Sequence, residues 1–159
     1  MADKASSSLS ASILLDEIKA SMSGSQIYDP ADGNDKWVFA EVTVVGDSST
    51  TDLLDTGDSY LGSSTQVATA DIFRWLCIKN ISTTTTEGIG FVLDAGNAVY
   101  NEKDLIIVGP GEMVIIKPPN CTVADLHARS CVLDSNLRPS SQGTATVNAH
   151  VAAILDDQA

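Results

Sequence analysis

Along TATVNAHVAAIL, residues 144–155, apolar and polar positions alternate. Ala145, Val147, Ala149, Val151 and Ala153 fall on one side, and Thr146, Asn148 and His150 on the other. A period of two is that of a strand with one buried face. The same alternation runs through ADLHARSCVLD, residues 124–134. There Leu126, Ala128, Ser130 and Val132 oppose His127, Arg129, Cys131 and Leu133. In FRWLCIKNI, residues 73–81, it sets Phe73, Trp75, Cys77 and Lys79 against Arg74, Leu76, Ile78 and Asn80. WVFAEVTVV, residues 37–45, is rich in aromatic and β-branched residues and predicts a further strand. So do GIGFVLDA, DLIIV and MVIIKP. Gly109-Pro110-Gly111 supplies a turn between the last two, and Pro118-Pro119-Asn120 closes the run, since proline cannot donate to a ladder. The polar stretch 46–71 holds apolar islands at Leu53, Leu54, Tyr60 and Leu61 and predicts one or two short strands or loops over a sheet edge.

One segment has another period. In SILLDEIKASMSG, residues 12–24, Leu14, Ile18 and Met22 recur every four residues with Leu15 beside them. At 3.6 residues per turn they share one face, which predicts a helix near 12–22, capped by Ser12 and ended by Gly24. So short a helix needs something to pack on. Leu14, Leu15, Ile18 and Met22 are therefore candidate partner-binding residues on an arm, or a cover for one end of the chain's own sandwich.

About eight strands with polar turns and no βα alternation predict an all-β fold: an antiparallel sandwich of jelly-roll or immunoglobulin-like type with one short N-terminal helix. The organisation expected is an arm with its helix over residues 1–24 and a β-sandwich domain over 25–159. Thr83 to Thr86, between two strands, predicts a solvated hairpin loop.

Charge narrows the function. Lys plus Arg number 9 against 21 Asp plus Glu, giving a net charge of −12. Nucleic-acid and anionic-membrane partners are disfavoured, because both need clustered cations. Met1 to Ser12 lacks a basic start followed by an apolar stretch, so no signal peptide and folding in a cytoplasm are expected. Cys77, Cys121 and Cys131 are odd in number and widely spaced, which does not suit a disulfide framework and suits small buried residues.

Candidate chemistry is sparse. His127 and His150 are the histidine bases available, each inside an alternating strand, and no nucleophile elbow or phosphate loop accompanies them. His127 and Cys131 share a strand face but stand about 13 Å apart, too far for one zinc. The acids Asp29, Asp32 and Asp35, and Asp47, Asp52, Asp55 and Asp58, lack the order of a calcium loop. No cofactor and no enzymatic activity are expected. Trp37, Trp75 and Tyr100 are candidates for stacking on a sugar, although both tryptophans also fit a core.

KWVFAEVTVV, DLLDTGDSYLG, ATADIFRWLCIKN and GIGFVLDAGNAVYNEKDLIIVGPGEMVIIKPPNCTVADLHARS, within residues 36–133, resemble small structural proteins of tailed-bacteriophage particles. The resemblance lies in strand-and-turn style, not in a diagnostic motif. It implies a β-sandwich that decorates or cements a capsid, with the major capsid protein as partner, a homotrimer as assembly and the outer capsid surface as location. The alternative expectation is a receptor- or glycan-binding domain of a phage tail or fibre.

Overall fold

The computed structural model describes residues 5–14, 19–28, 35–46, 51–57, 66–92, 106–118, 121–136, 139–142 and 146–157. It divides into two compact units, Met1–Asp35 and Lys36–Ala159.

The first unit is an antiparallel ribbon of β1 (Ala5–Leu14) and β2 (Lys19–Tyr28). The described residues of the helix expected near 12–22 are strand instead: Ser12 pairs with Ser21, Ala11 with Met22 and Ile13 with Ala20. The register shows why. Ten successive pairs, from Ala5 opposite Tyr28 to Leu14 opposite Lys19, join the two segments over their whole length, whereas the helical period spans only residues 12–22. Serine inside a helix competes for backbone hydrogen bonds, and so short a helix is marginal alone. Gly24, expected to end the helix, lies within β2 opposite Leu9.

The second unit is a sandwich of two antiparallel sheets. β3 (Lys36–Val44), β11 (Val147–Asp156), β5 (Ile72–Asn80) and β8 (Met113–Ile116) form one, in that order. The other runs β10 (Pro139–Gln142), β9 (His127–Leu133), β6 (Glu87–Val92) and β7 (Ile106–Val108), with β4 (Thr51–Asp52) also pairing with β9. The pairings nest: β3 with β11, β4 with β9, β5 with β8, β6 with β7. A long two-stranded ribbon has folded so that β11 also meets β5 and β9 also meets β6. That nesting is a jelly roll and not the immunoglobulin arrangement, with β10 as an addition.

The alternating strands fill the core as their pattern requires. Val38, Ala40 and Val44 of β3, Leu76 and Ile78 of β5, Ile89 and Phe91 of β6, and Val147, Ala149, Val151 and Ala153 of β11 are buried together. Each fully buried large side chain contributes roughly 1.5–3 kcal/mol. Leu53 and Leu54, beside β4, are as buried as any strand residue. Phe73 departs from its expected side. A register shift between Ile154 and Leu155 sets Phe73 opposite Leu155 and Trp75 opposite Ile154, so Phe73 enters the core while Trp75 stays outside.

Polar groups close both ends. At one end Lys36 Nζ donates to Asp71 Oδ2 at 2.8 Å and to the Gln66 carbonyl at 2.9 Å, and lies 3.2 Å from Asp157 Oδ1. At the other, buried Asn80 donates through Nδ2 to the carbonyls of Glu87 (2.9 Å) and Val108 (3.2 Å) and accepts from Ser82 N at 2.9 Å. The turn Gly109-Pro110-Gly111-Glu112 sits against it: Gly111 N donates to the Asn80 carbonyl at 3.1 Å, and Asn80 N to the Glu112 carbonyl at 3.0 Å. Gly111 has φ +74°, with proline before it, as the third position of a type II turn requires.

Thr83 to Thr86 are exposed, as expected of a loop, but they do not close a hairpin. β5 and β6 lie in different sheets, so the block carries the chain across the end of the sandwich. The Thr86 carbonyl accepts from Leu133 N at 2.8 Å and that of Thr84 from Glu87 N at 3.0 Å.

Candidate functional site

An antiparallel sheet usually has one face on the core and one in water, with polar residues outside. The four-stranded sheet departs from this. Cross-strand register arranges its outer face in rows. Trp37, Ile154 and Trp75 form the first. Phe39, Ala152, Cys77 and Ile115 form the second. Glu41, His150, Lys79 and Met113 form the third, and Thr43 and Asn148 a fourth. The first two rows are apolar throughout, and Met113 extends them into the third.

Exposure follows the rows. Phe39 is 48% exposed and Met113 57%. Trp37 and Trp75 are half-buried on either side of Ile154, which is fully buried although it lies outside the core cluster. The Phe39 ring stands 5.5 Å from that of His150, tilted by 52°. His150 Nε2 is 3.9 Å from Glu41 Oε2, and Thr43 Oγ1 donates to Asn148 Oδ1 at 3.1 Å. Three strand spacings and six residue rises give the face a plane on the order of 300 Å². That plane takes in all four rows: its apolar part is the first two rows with Met113, and Glu41, His150, Lys79, Thr43 and Asn148 form a polar margin.

The residues singled out in the sequence are dispersed. Leu14 pairs with Lys19, and Met22 with Ala11. Leu15 and Ile18 lie outside the described residues, as does Tyr100. His127 and His150 point outward from different sheets and do not converge. His127 Nδ1 lies 2.6 Å from Asp52 Oδ1. Among the described residues no three His, Cys, Asp or Glu side chains are grouped as metal ligands. Cys121 and Cys131 are buried thiols outside any disulfide, and burial pushes Cys131 up to about 11, against a smaller opposing effect of Arg129.

The apolar outer face was partly legible. Trp37 and Trp75 were candidates, but alternation alone assigns apolar residues to the core. The extra signal is that β3, β5 and β8 are apolar at both parities.

Comparison of the chain with protein-family models, with curated proteins and with solved structures gives no match.

Proposed function

We propose that this chain is a virion structural protein, a decoration or cement protein of a tailed-bacteriophage capsid. It docks the outer face of its four-stranded sheet on the major capsid protein, at the outer surface of the shell. The observation that carries this reading is that contiguous apolar face, with Phe39 and Met113 exposed on a rigid jelly roll. Such a face binds by shape and apolar burial. One patch of this size falls well below the roughly 800 Å² per partner of a stable complex. A homotrimer presenting three such faces gains affinity through effective concentration, and that is the assembly proposed. A net charge of −12 suits the outside of a DNA-filled shell.

The test mixes purified chain with shells that lack it, followed by co-sedimentation and imaging. The wild type binds at micromolar concentration and sediments as a trimer, and Phe39→Asp and Met113→Asp abolish binding. A wild-type chain that stays monomeric and leaves shells bare ends this reading.

A second reading, a receptor- or glycan-binding domain of a tail or fibre, is favoured by the half-buried indoles of Trp37 and Trp75 on the same face. A glycan-array hit lost in Trp37→Ala or Trp75→Ala, but kept in Met113→Asp, would put it first.

A further inference from the structure

β3 is a terminal strand of its sheet, with β11 on one side among the described residues. A cavity of about 290 Å³ is lined by residues 40–43 of β3 and, across it, by Thr51, Asp52, Leu53 and Asp55. Side chains along a strand point alternately to its two faces. Four successive residues can border one space only along the strand's edge. The cavity is therefore open room beside the backbone of an edge strand, where an extended chain can add to a sheet. Its charge has one sign. Glu41, Asp52 and Asp55 supply carboxylates, and no lysine or arginine lines it. Asp52 Oδ1 lies 2.6 Å from His127 Nδ1.

We propose that this edge is a strand-addition site for an extended partner segment bearing Lys or Arg at alternate positions. The main chain of that segment extends the sheet beyond β3. Its cations, which share one face of the added strand, meet Asp52 and Asp55, and the residues between them turn to the opposite face. The net charge of −12 draws such a segment in and repels a second acidic copy. The site shares Glu41 and Thr43 with the outer face, but Asp52 and Asp55 belong to the edge. Substitutions at Asp52 and Asp55 therefore test the edge without touching the face of Phe39 and Met113.

The test is fluorescence anisotropy with the full chain and three labelled peptides, each about nine residues long to match a strand. One alternates lysine with valine or threonine. The second replaces its lysines by glutamate. The third is the lysine peptide N-methylated at alternate amides. Saturable binding of the lysine peptide alone is expected, weakened about fivefold to tenfold in the doubly substituted Asp52→Asn, Asp55→Asn chain. Equal binding of the N-methylated peptide would reduce the site to charge attraction and overturn the proposal. So would an unchanged affinity in the folded double variant, or no saturable binding at all. Should that variant fail to fold, the comparison of parent and N-methylated peptides on the wild type decides.

Discussion

Asn80 Nδ2 donates to the carbonyl of Val108 at 3.2 Å, tying the end of β5 in one sheet to the end of β7 in the other. The same amide also holds Glu87 O and Ser82 N, so a fully buried side chain spans the mouth of the sandwich. Asn80→Leu has similar volume but leaves those three backbone groups without it. A loss of about 2–4 kcal/mol is expected, from orphaned buried polar groups and the cavity of imperfect fit. Urea denaturation measures it. A loss under about 1 kcal/mol would mean that water replaces the amide.

Gly88 predicts a packing limit. A Cβ there would stand 2.7 Å from Leu133 Cδ2 and 2.8 Å from Cys131 Sγ. Gly88→Ala should therefore destabilise by about 1–3 kcal/mol through overpacking. Adding Leu133→Ala should recover part of that loss, because it removes the closest atom. A double-mutant cycle read by thermal unfolding checks the coupling.

Lys36 is buried between Asp71 and Asp157. Lys36→Met removes the cation and leaves Asp71 buried without it, which should cost about 3–5 kcal/mol. Lys36→Met combined with Asp71→Leu should be much less damaging, since no unpaired charge is left behind. Denaturation midpoints of the single and double variants test this.

The same residue and Cys131 set an alkaline limit. Burial lowers the Lys36 pKa, but hydrogen bonds to Asp71 and Asp157 and their charges outweigh it and hold it above 10.5. This stabilisation is complete below the unfolded lysine value and is lost as pH rises through the folded one. Burial raises Cys131 from 9.0 to about 11, so the folded chain keeps a proton there that the unfolded chain releases. The sign is again loss of stability with rising pH, worth about 2–3 kcal/mol between pH 9 and about 11. Unfolding free energy should fall steadily over that window, and Cys131→Ser should flatten the first part of the fall. At pH 8 the Cys131 thiol should resist alkylation until the chain unfolds.

The outer face predicts a dissociation of stability from binding. Phe39→Ser and Met113→Ser touch exposed side chains outside the core and should change stability by less than about 0.5 kcal/mol. Both should nonetheless abolish particle binding. Parallel loss of stability and binding would return these residues to a packing role.

Strand by strand, alternation was enough for β11, whose burial follows the expected parity from Val147 to Ala153, but not for β9, where Ala128 to Cys131 are buried at both parities and Val132 is only half-buried. It misplaced Phe73, because a bulge in the register with β11 reverses parity and no local pattern records a bulge. It read residues 12–22 as a helix from Leu14, Ile18 and Met22, where pairing between two segments distant in the local pattern sets 12–14 and 19–22 in strands. The candidate face was the least visible. Trp37, Phe39, Trp75, Ile115 and Met113 come from three separate segments, and their adjacency is set by cross-strand register.

The sequence by itself determined the all-β class, the turn at Gly109-Pro110-Gly111 and which strand residues are apolar. These depend on neighbours a few residues away, through pleat geometry, proline and glycine. Only the tertiary structure decided that the strands nest as a jelly roll, that Asn80 joins the two sheets, and that two rows on the outer face of one sheet are apolar. Those outcomes rest on contacts between residues far apart in the chain, such as Lys36 with Leu155, where the gain from burial and hydrogen bonding exceeds the entropy of closing long loops.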